Sequence, residues 1–135
     1  MVAGGDGQVE GEDYSETYAP VVKLTSIRVI LSIVTLFGLL LHQMDFVTAF
    51  LNGDLKETVY MEQPQGFEQG DPAKTVCLLL KSIYGLKQSP RQWYAKIDDF
   101  FIRVLGMERN PADECVYVRR KGSRSSSLPC MWMTY

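Results

Sequence analysis

The chain has 135 residues, of which 46% are apolar and 22% charged, a composition that suits one packed domain or part of one and excludes disorder, a fibre and a large multidomain enzyme. Fourteen Lys and Arg against sixteen Asp and Glu give a formal net charge of -2, so no global positive field draws the chain to nucleic acid and any such contact must come from local basic patches. Cys77, Cys115 and Cys130 are odd in number, widely spaced and outside any CxxC pair, which suits a reducing compartment and argues against a disulfide framework or a zinc site.

Residues 1–16 are Gly-rich and acidic without apolar periodicity and read as a loose arm. They lack the basic start and apolar stretch of a secretory signal, so the chain is expected to be intracellular, in cytoplasm or nucleus. Residues 17–118 read as the folded body. Thr25 or Ser26 is placed to cap a helix whose apolar positions Ile27, Ile30, Leu31, Val34 and Phe37 fall at helical spacing, and Gly38 is placed to end it. The run Val29 to Leu41 is shorter than the roughly 20 residues that span a bilayer and reads as core, so no membrane partner is expected. Leu39 to Met44, brief and apolar after Gly38, reads as a strand with Asp45 at its C-terminal end. Asn52-Gly53-Asp54 signals a turn, Thr58 to Met61 a strand, Gln63 to Ala73 a loop and Thr75 to Leu80 a further strand. Ser89-Pro90 marks a helix start, with Ser89 as cap and Trp93, Ile97, Phe100, Phe101, Val104 and Leu105 on one face. Gly106 closes that helix, and Asn110-Pro111 turns into an extended segment at Cys115 to Val118. Residues 119–135 form a tail whose basic, Ser-rich start, Arg119 to Ser127, reads as an exposed turn or disordered tip. The pattern is mixed α and β without internal repeats.

Taken singly, the polar and aromatic residues have plain readings. Asp45 caps a helical turn at Val47 to Leu51, Phe50 is a core aromatic, Gly85 shapes a turn, and Lys87 and Arg91 are solvated charges leading into a helix. Lys23 and Arg28 lie on an exposed helix face, and His42 packs within its strand. Four blocks change the judgement when taken together: Tyr18-Ala19-Pro20-Val21-Val22, the stretch Leu41 to Gly53 around Met44-Asp45-Phe46, Val59-Tyr60-Met61-Glu62-Gln63-Pro64, and Ser82 to Trp93. In this order and spacing they closely resemble the reverse transcriptase of copia-type (Ty1/copia) LTR retrotransposons, over roughly Gln8 to Val118.

The resemblance implies an α+β fold: a partial polymerase fingers and palm, with an antiparallel sheet backed by helices. Leu39 to Asp45 and Cys115 to Val118 would share that sheet, backed by the helices that begin near Thr25 and Ser89. It implies that Asp45 matches the first catalytic aspartate of the palm, a ligand of two Mg2+ ions (Mn2+ as substitute), with the Phe46 carbonyl a further candidate ligand. One ion would activate the primer hydroxyl and the other steady the leaving group. Phe50 matches the aromatic that collides with a ribonucleotide 2′-hydroxyl. Tyr84, Gly85, Lys87 and Arg91 match the segment beneath the incoming dNTP, where Gly85 allows close approach and the two cations meet phosphates. The implied partners are an RNA or DNA template-primer and dNTP.

Two departures bear on activity. The family carries a Tyr-Val-Asp-Asp hairpin beyond the strand that here is Cys115 to Val118, and this chain has Cys130-Met131-Trp132-Met133-Thr134-Tyr135 instead. Met and Trp have single codons, so these residues are encoded TGY-ATG-TGG-ATG-ACN-TAY. Two nucleotides further on, the same bases read YAT-GTG-GAT-GAC-NTA, which is Tyr or His, Val, Asp, Asp, then Leu, Ile or Val. The missing motif is present out of frame, which points to a frameshift. Relatives also have a basic strand just before the position of Met1, which is expected to be absent here. The catalytic set is incomplete, Mg2+ is expected to bind weakly or not at all, and the chain is expected to be inactive. A non-enzymatic product of a degenerate transposon copy and a small α/β interaction module are the alternatives.

Overall fold

The structure, a computed structural model, describes residues 2–71, 74–121 and 124–125. The chain divides into two compact units, Met1–Ala19 with Val47–Lys96, and Pro20–Phe46 with Ile97–Tyr135. Helices α1 (Leu24–Phe37) and α2 (Ser89–Asp99) and short antiparallel strand pairs give the α+β content expected.

In the first unit, β1 (Tyr60–Met61) pairs antiparallel with β2 (Cys77–Leu78), setting Tyr60 opposite Leu78 and Met61 opposite Cys77. Both strands lie inside the expected ones and are shorter. The loop between them is closed by one side chain: the Gln63 carboxamide accepts the Gln69 N–H at 2.7 Å and donates to the Thr75 carbonyl at 3.1 Å, replacing ladder bonds that a Pro- and Gly-rich stretch cannot make. Val59, Ile83 and Leu86 form the buried cluster, with Ala3, Leu55, Met61 and Leu79 against it. Full burial of such aliphatic side chains contributes about 1.5–3 kcal/mol each.

Ala3 belongs to the segment expected to be a loose arm, and the structure places that segment on the body. The Ala3 N–H donates to the Tyr84 carbonyl at 2.7 Å, and Gly5 is buried against Gly85. Glycine content, taken as a sign of looseness, here permits two backbones to touch.

Helix α2 begins where expected, with Pro90 in its first turn, but Ser89 does not cap it. Its hydroxyl donates to the Ile83 carbonyl, and the Gln92 N–H goes to the Gln88 carbonyl. Trp93 and Ile97 are buried as expected, whereas the helix widens into a π turn at Phe100–Val104 and leaves Phe100 and Val104 exposed.

In the second unit α1 ends at Gly38, whose φ is +61°. The Leu39 N–H reaches the Val34 carbonyl and the Gly38 N–H the Thr35 carbonyl, the paired bonds of a Schellman stop. Its N-terminus is not capped by Thr25 or Ser26; Lys23 holds the cap position and makes no side-chain cap bond. The cap comes from far along the chain. Asp113 accepts the Lys23 N–H at 2.9 Å and the Cys115 N–H at 3.0 Å, and it also bonds Ser26. Burial raises the Asp113 carboxyl pKa, but the bonds from Ser26, Lys23 and Cys115 outweigh it and hold the group below its ordinary value.

A folded-state pKa below the unfolded one gives stability that is complete above the ordinary aspartate value near 3.9 and is lost as pH falls through the lower folded value. Asp113→Asn removes one acceptor and turns an amide N–H toward the donors, so it is expected to destabilise this unit by about 2 kcal/mol at pH 7. Denaturant titrations at pH 7 and pH 3, followed by near-ultraviolet dichroism, should show a smaller acid sensitivity in the variant.

Strand β4 (Asp113–Val118) realises the segment expected at Cys115 to Val118, but its partner is β3 (Glu108–Asn110), with an irregularity between Arg109 and Asn110. Leu39 to Asp45 is not a strand and does not share its sheet. Leu40 is 90% and Met44 86% exposed; apolar side chains favour a strand only where a neighbouring backbone and a covered face exist, and the described residues supply neither here. Tyr117, fully buried, donates its hydroxyl to Asp98 at 2.7 Å and packs its ring 4.9 Å from Phe101. Arg109 forks onto the same carboxylate, Nε at 3.1 Å and a terminal nitrogen at 2.6 Å, a bidentate geometry that fixes the hairpin's register.

Strands β5 (Arg120–Lys121) and β6 (Arg124–Ser125) pair antiparallel. Cys130 to Tyr135 and most of the expected tail lie outside the described residues. Among the described residues no helix is long and apolar enough to cross a membrane.

Candidate functional site

The turn signal at Asn52-Gly53-Asp54 organises one side of the first unit. A short 3-10 turn, Ala49–Asn52, follows Thr48, whose φ is +54°. The Gly53 N–H closes it on the Phe50 carbonyl at 3.0 Å, and Ser82 bonds both ends: its N–H donates to the Gly53 carbonyl at 3.0 Å and its hydroxyl to the Phe50 carbonyl. The neighbouring Asp54 carboxylate takes Lys81 and Lys96, the latter at 2.7 Å. Hydrogen bonds from Lys81 and then Lys96 lower its pKa to about 2, so it is ionised through the whole physiological range.

Fixed in this way, Phe50 lays its ring on that of Tyr84, centroids 4.6 Å apart and planes tilted by 51°, within the range of favourable aromatic pairs. Phe50 is half-buried and Tyr84 is 42% exposed, so the pair forms a surface and not a core. Gly85 follows with φ +100°, and a Cβ there would stand 2.1 Å from the Ala3 carbonyl oxygen. That is the close approach the sequence suggested, but the group approached is the chain's own N-terminal segment.

Lys87 and Arg91 face the same segment. The Lys87 ammonium donates to the Gln8 carbonyl at 3.0 Å and stands 5.1 Å from the centre of the Tyr14 ring. Arg91 pairs with Glu16 at 2.6 Å and donates to the Tyr18 carbonyl at 3.2 Å. Each cation thus has partners in the N-terminal segment, although Lys87 remains exposed. Gln8, Glu16 and Gln88 were not among the sequence's candidates; the signal that they are structured was the resemblance itself, which begins near Gln8.

Asp45 and Phe46 lie in the second unit, in an exposed stretch without regular structure. The Asp45 carboxylate accepts the N–H of Phe46 at 2.9 Å. It does not cap the turn at Val47 to Leu51, since that turn starts later and Thr48 holds its cap position. Among the described residues no group of three or more His, Cys, Asp and Glu side chains is placed to hold a metal ion.

Residues 1–129 match the family described as reverse transcriptase (RNA-dependent DNA polymerase). The chain is 49% identical over 120 residues to the retrovirus-related Pol polyprotein from transposon TNT 1-94 of Nicotiana tabacum, covering 89% of this chain and 9% of that protein. It is 40% identical over 122 residues to the Pol polyprotein from transposon RE1 of Arabidopsis thaliana, covering 90% of this chain and 8% of that one. The truncated transposon Ty1-A Gag-Pol polyprotein of Saccharomyces cerevisiae is 37% identical over 75 residues, 56% of this chain and 6% of its own length. The chain thus spans less than a tenth of these relatives. No solved structure matches it.

Proposed function

The chain belongs to the reverse transcriptase family of copia-type retrotransposon Pol polyproteins, and we propose that it is a fingers-and-palm fragment carrying part of a nucleotide site. The Phe50–Tyr84 pair is the observation that supports this reading most directly. A rigid ring offers bulk and no hydrogen-bonding group, so it accepts a deoxyribose edge and excludes a 2′-hydroxyl that would lose its water without a partner. Tyr84 backs the ring, and Gly85 lets its loop rest on the backbone of Ala3. Lys87 and Arg91 are the phosphate contacts of this reading, and they would exchange the Gln8 carbonyl and Glu16 for a triphosphate. The partners are a template-primer of RNA or DNA and a dNTP.

Reverse transcriptases in general use divalent metals. In this reading Asp45, with the Phe46 carbonyl, is what remains of the metal side. One carboxylate does not fit a pair of dications, each of which asks for several oxygen ligands, and among the described residues no group of three or more His, Cys, Asp and Glu side chains is placed to hold a metal ion. On this reading no polymerase activity is expected from the 135-residue chain by itself. The test is primer extension on a poly(rA) template with oligo(dT), in Mg2+ or Mn2+. No product above background is expected, and extension would overturn the inactivity.

A second reading, that the gene is a degenerate copy, is favoured by the end of the family match at residue 129, beside the codons that spell the motif out of frame. Pro129 is CCN and Cys130 TGY, so the shifted codon before Tyr or His is NTG, which is Leu, Met or Val. The shifted frame thus encodes apolar, Tyr or His, Val, Asp, Asp, apolar, the pattern of a strand entering a turn. Sequencing the gene around the Trp132 codon checks this. Stop codons soon after the shifted Asp pair are expected of a degenerate copy, and an open frame that continues well beyond it would overturn this reading in favour of a recent lesion.

A further inference from the structure

We propose that Gln8 is a positioning residue, whose carboxamide locks the Tyr84 to Gln88 loop in the conformation that presents Tyr84 to Phe50; the functional weight of this rests on the nucleotide-site reading above. Gln8 is half-buried and Gln88 fully buried, eighty positions apart in the chain. The hydrogen bonds between them have a fixed direction. The Lys87 N–H can only donate, and it donates to Gln8 Oε1 at 2.8 Å. The Asp13 carbonyl can only accept, and it accepts from Gln88 Nε2 at 3.0 Å. Gln8 Nε2 must therefore donate to Gln88 Oε1, as it does at 3.0 Å.

This chain of bonds is satisfied at every link and runs beside the Ala3–Tyr84 backbone bond and the contact of Gly5 with Gly85. Together they fix the loop on both sides of Tyr84. Glutamine is required on this account because the position needs an acceptor for Lys87 and a donor for Gln88 at once. Glutamate of the same shape supplies the first and, when ionised, sets a second oxygen against Gln88 Oε1. Protonated glutamate supplies both. The charged groups facing Gln8 are the Lys87 ammonium on its carbonyl and Asp13, whose carboxylate takes the Val9 N–H.

The test uses the full chain with Gln8→Glu and Gln8→Met, each compared with the parent at pH 7 and at pH 3.5. Tryptophan fluorescence, to which buried Trp93 in the same unit contributes, reports that the fold persists. In Gln8→Glu at pH 7, protection of the Lys87 amide from hydrogen exchange is expected to fall at least about tenfold, and cross-relaxation between the Phe50 and Tyr84 rings should weaken. Both should return at pH 3.5. In Gln8→Met both should be lost at either pH. Parent-like exchange and ring contact in Gln8→Glu at pH 7 would overturn the proposal, as would a loss that acidification does not reverse.

The nucleotide-site reading is measured separately, by adding dCTP or CTP, which differ only at the 2′ position, to the parent chain and following the same ring signals. Equal responses to the two nucleotides, with the Gln8 effects intact, would refute the sugar-sensing role and leave the positioning role standing.

Discussion

Gly85→Ala is expected to destabilise the first unit by about 3 kcal/mol or more, the larger of the expected stability effects. Two costs coincide at this position. A backbone φ of +100° is one that residues with a side chain rarely adopt, at roughly 1–3 kcal/mol. The new Cβ would also stand 2.1 Å from the Ala3 carbonyl oxygen and 2.9 Å from its nitrogen. These atoms belong to backbone, so relief requires the N-terminal segment to move and the Ala3–Tyr84 bond to break. Gly5→Ala separates the two costs. Its Cβ would lie 1.8 Å from the Gly85 oxygen, yet Gly5 has no positive φ, so it carries the contact penalty alone and should cost less. Urea titrations read by tryptophan fluorescence compare the two. A Gly85→Ala protein as stable as its parent would mean that the segment does not rest on the loop.

In a protein whose frame is advanced by two nucleotides through the Val-Asp-Asp codons and extended to the length of the relatives' polymerase region, Asp45→Asn is expected to lower primer extension by about 10^3-fold or more. Asparagine is nearly isosteric, so the fold should be little changed while one of the charges that hold the cations is lost. A loss of about 4 kcal/mol in transition-state stabilisation corresponds to that factor. Steady-state extension rates over a range of Mg2+ concentrations provide the measurement. Extension at the parental rate would return Asp45 to the role it has in this structure, an exposed carboxylate that accepts the N–H of Phe46.

Helix positions were largely determined by sequence alone, because their signals are local. Apolar spacing from Ile27 to Phe37 and a glycine where the chain must turn left-handed place α1 to within a residue or two, and Pro90 places the start of α2. Family membership was legible for a similar reason: four blocks in order specify a lineage without reference to packing. The caps were not legible. Thr25, Ser26 and Ser89 are good capping residues in isolation, yet α1 is capped by Asp113, about ninety residues away, and the Ser89 hydroxyl turns to the Ile83 carbonyl. A hydrogen bond goes to whichever acceptor the tertiary fold brings near, and sequence spacing does not encode that.

Only the tertiary structure decided the fate of residues 1–16 and of Leu39 to Met44. Composition made the first a loose arm, but Gly5 against Gly85 and the Gln8–Gln88 bond hold it on the body. Composition made the second a strand, but a strand is a relation between two backbones, and here β4 pairs with β3 instead. Lys87 and Arg91 follow the same rule. Their charge is written in the sequence, but whether it meets a phosphate or Glu16 and the Gln8 carbonyl depends on which groups stand within about 3 Å, and folding alone settles that distance.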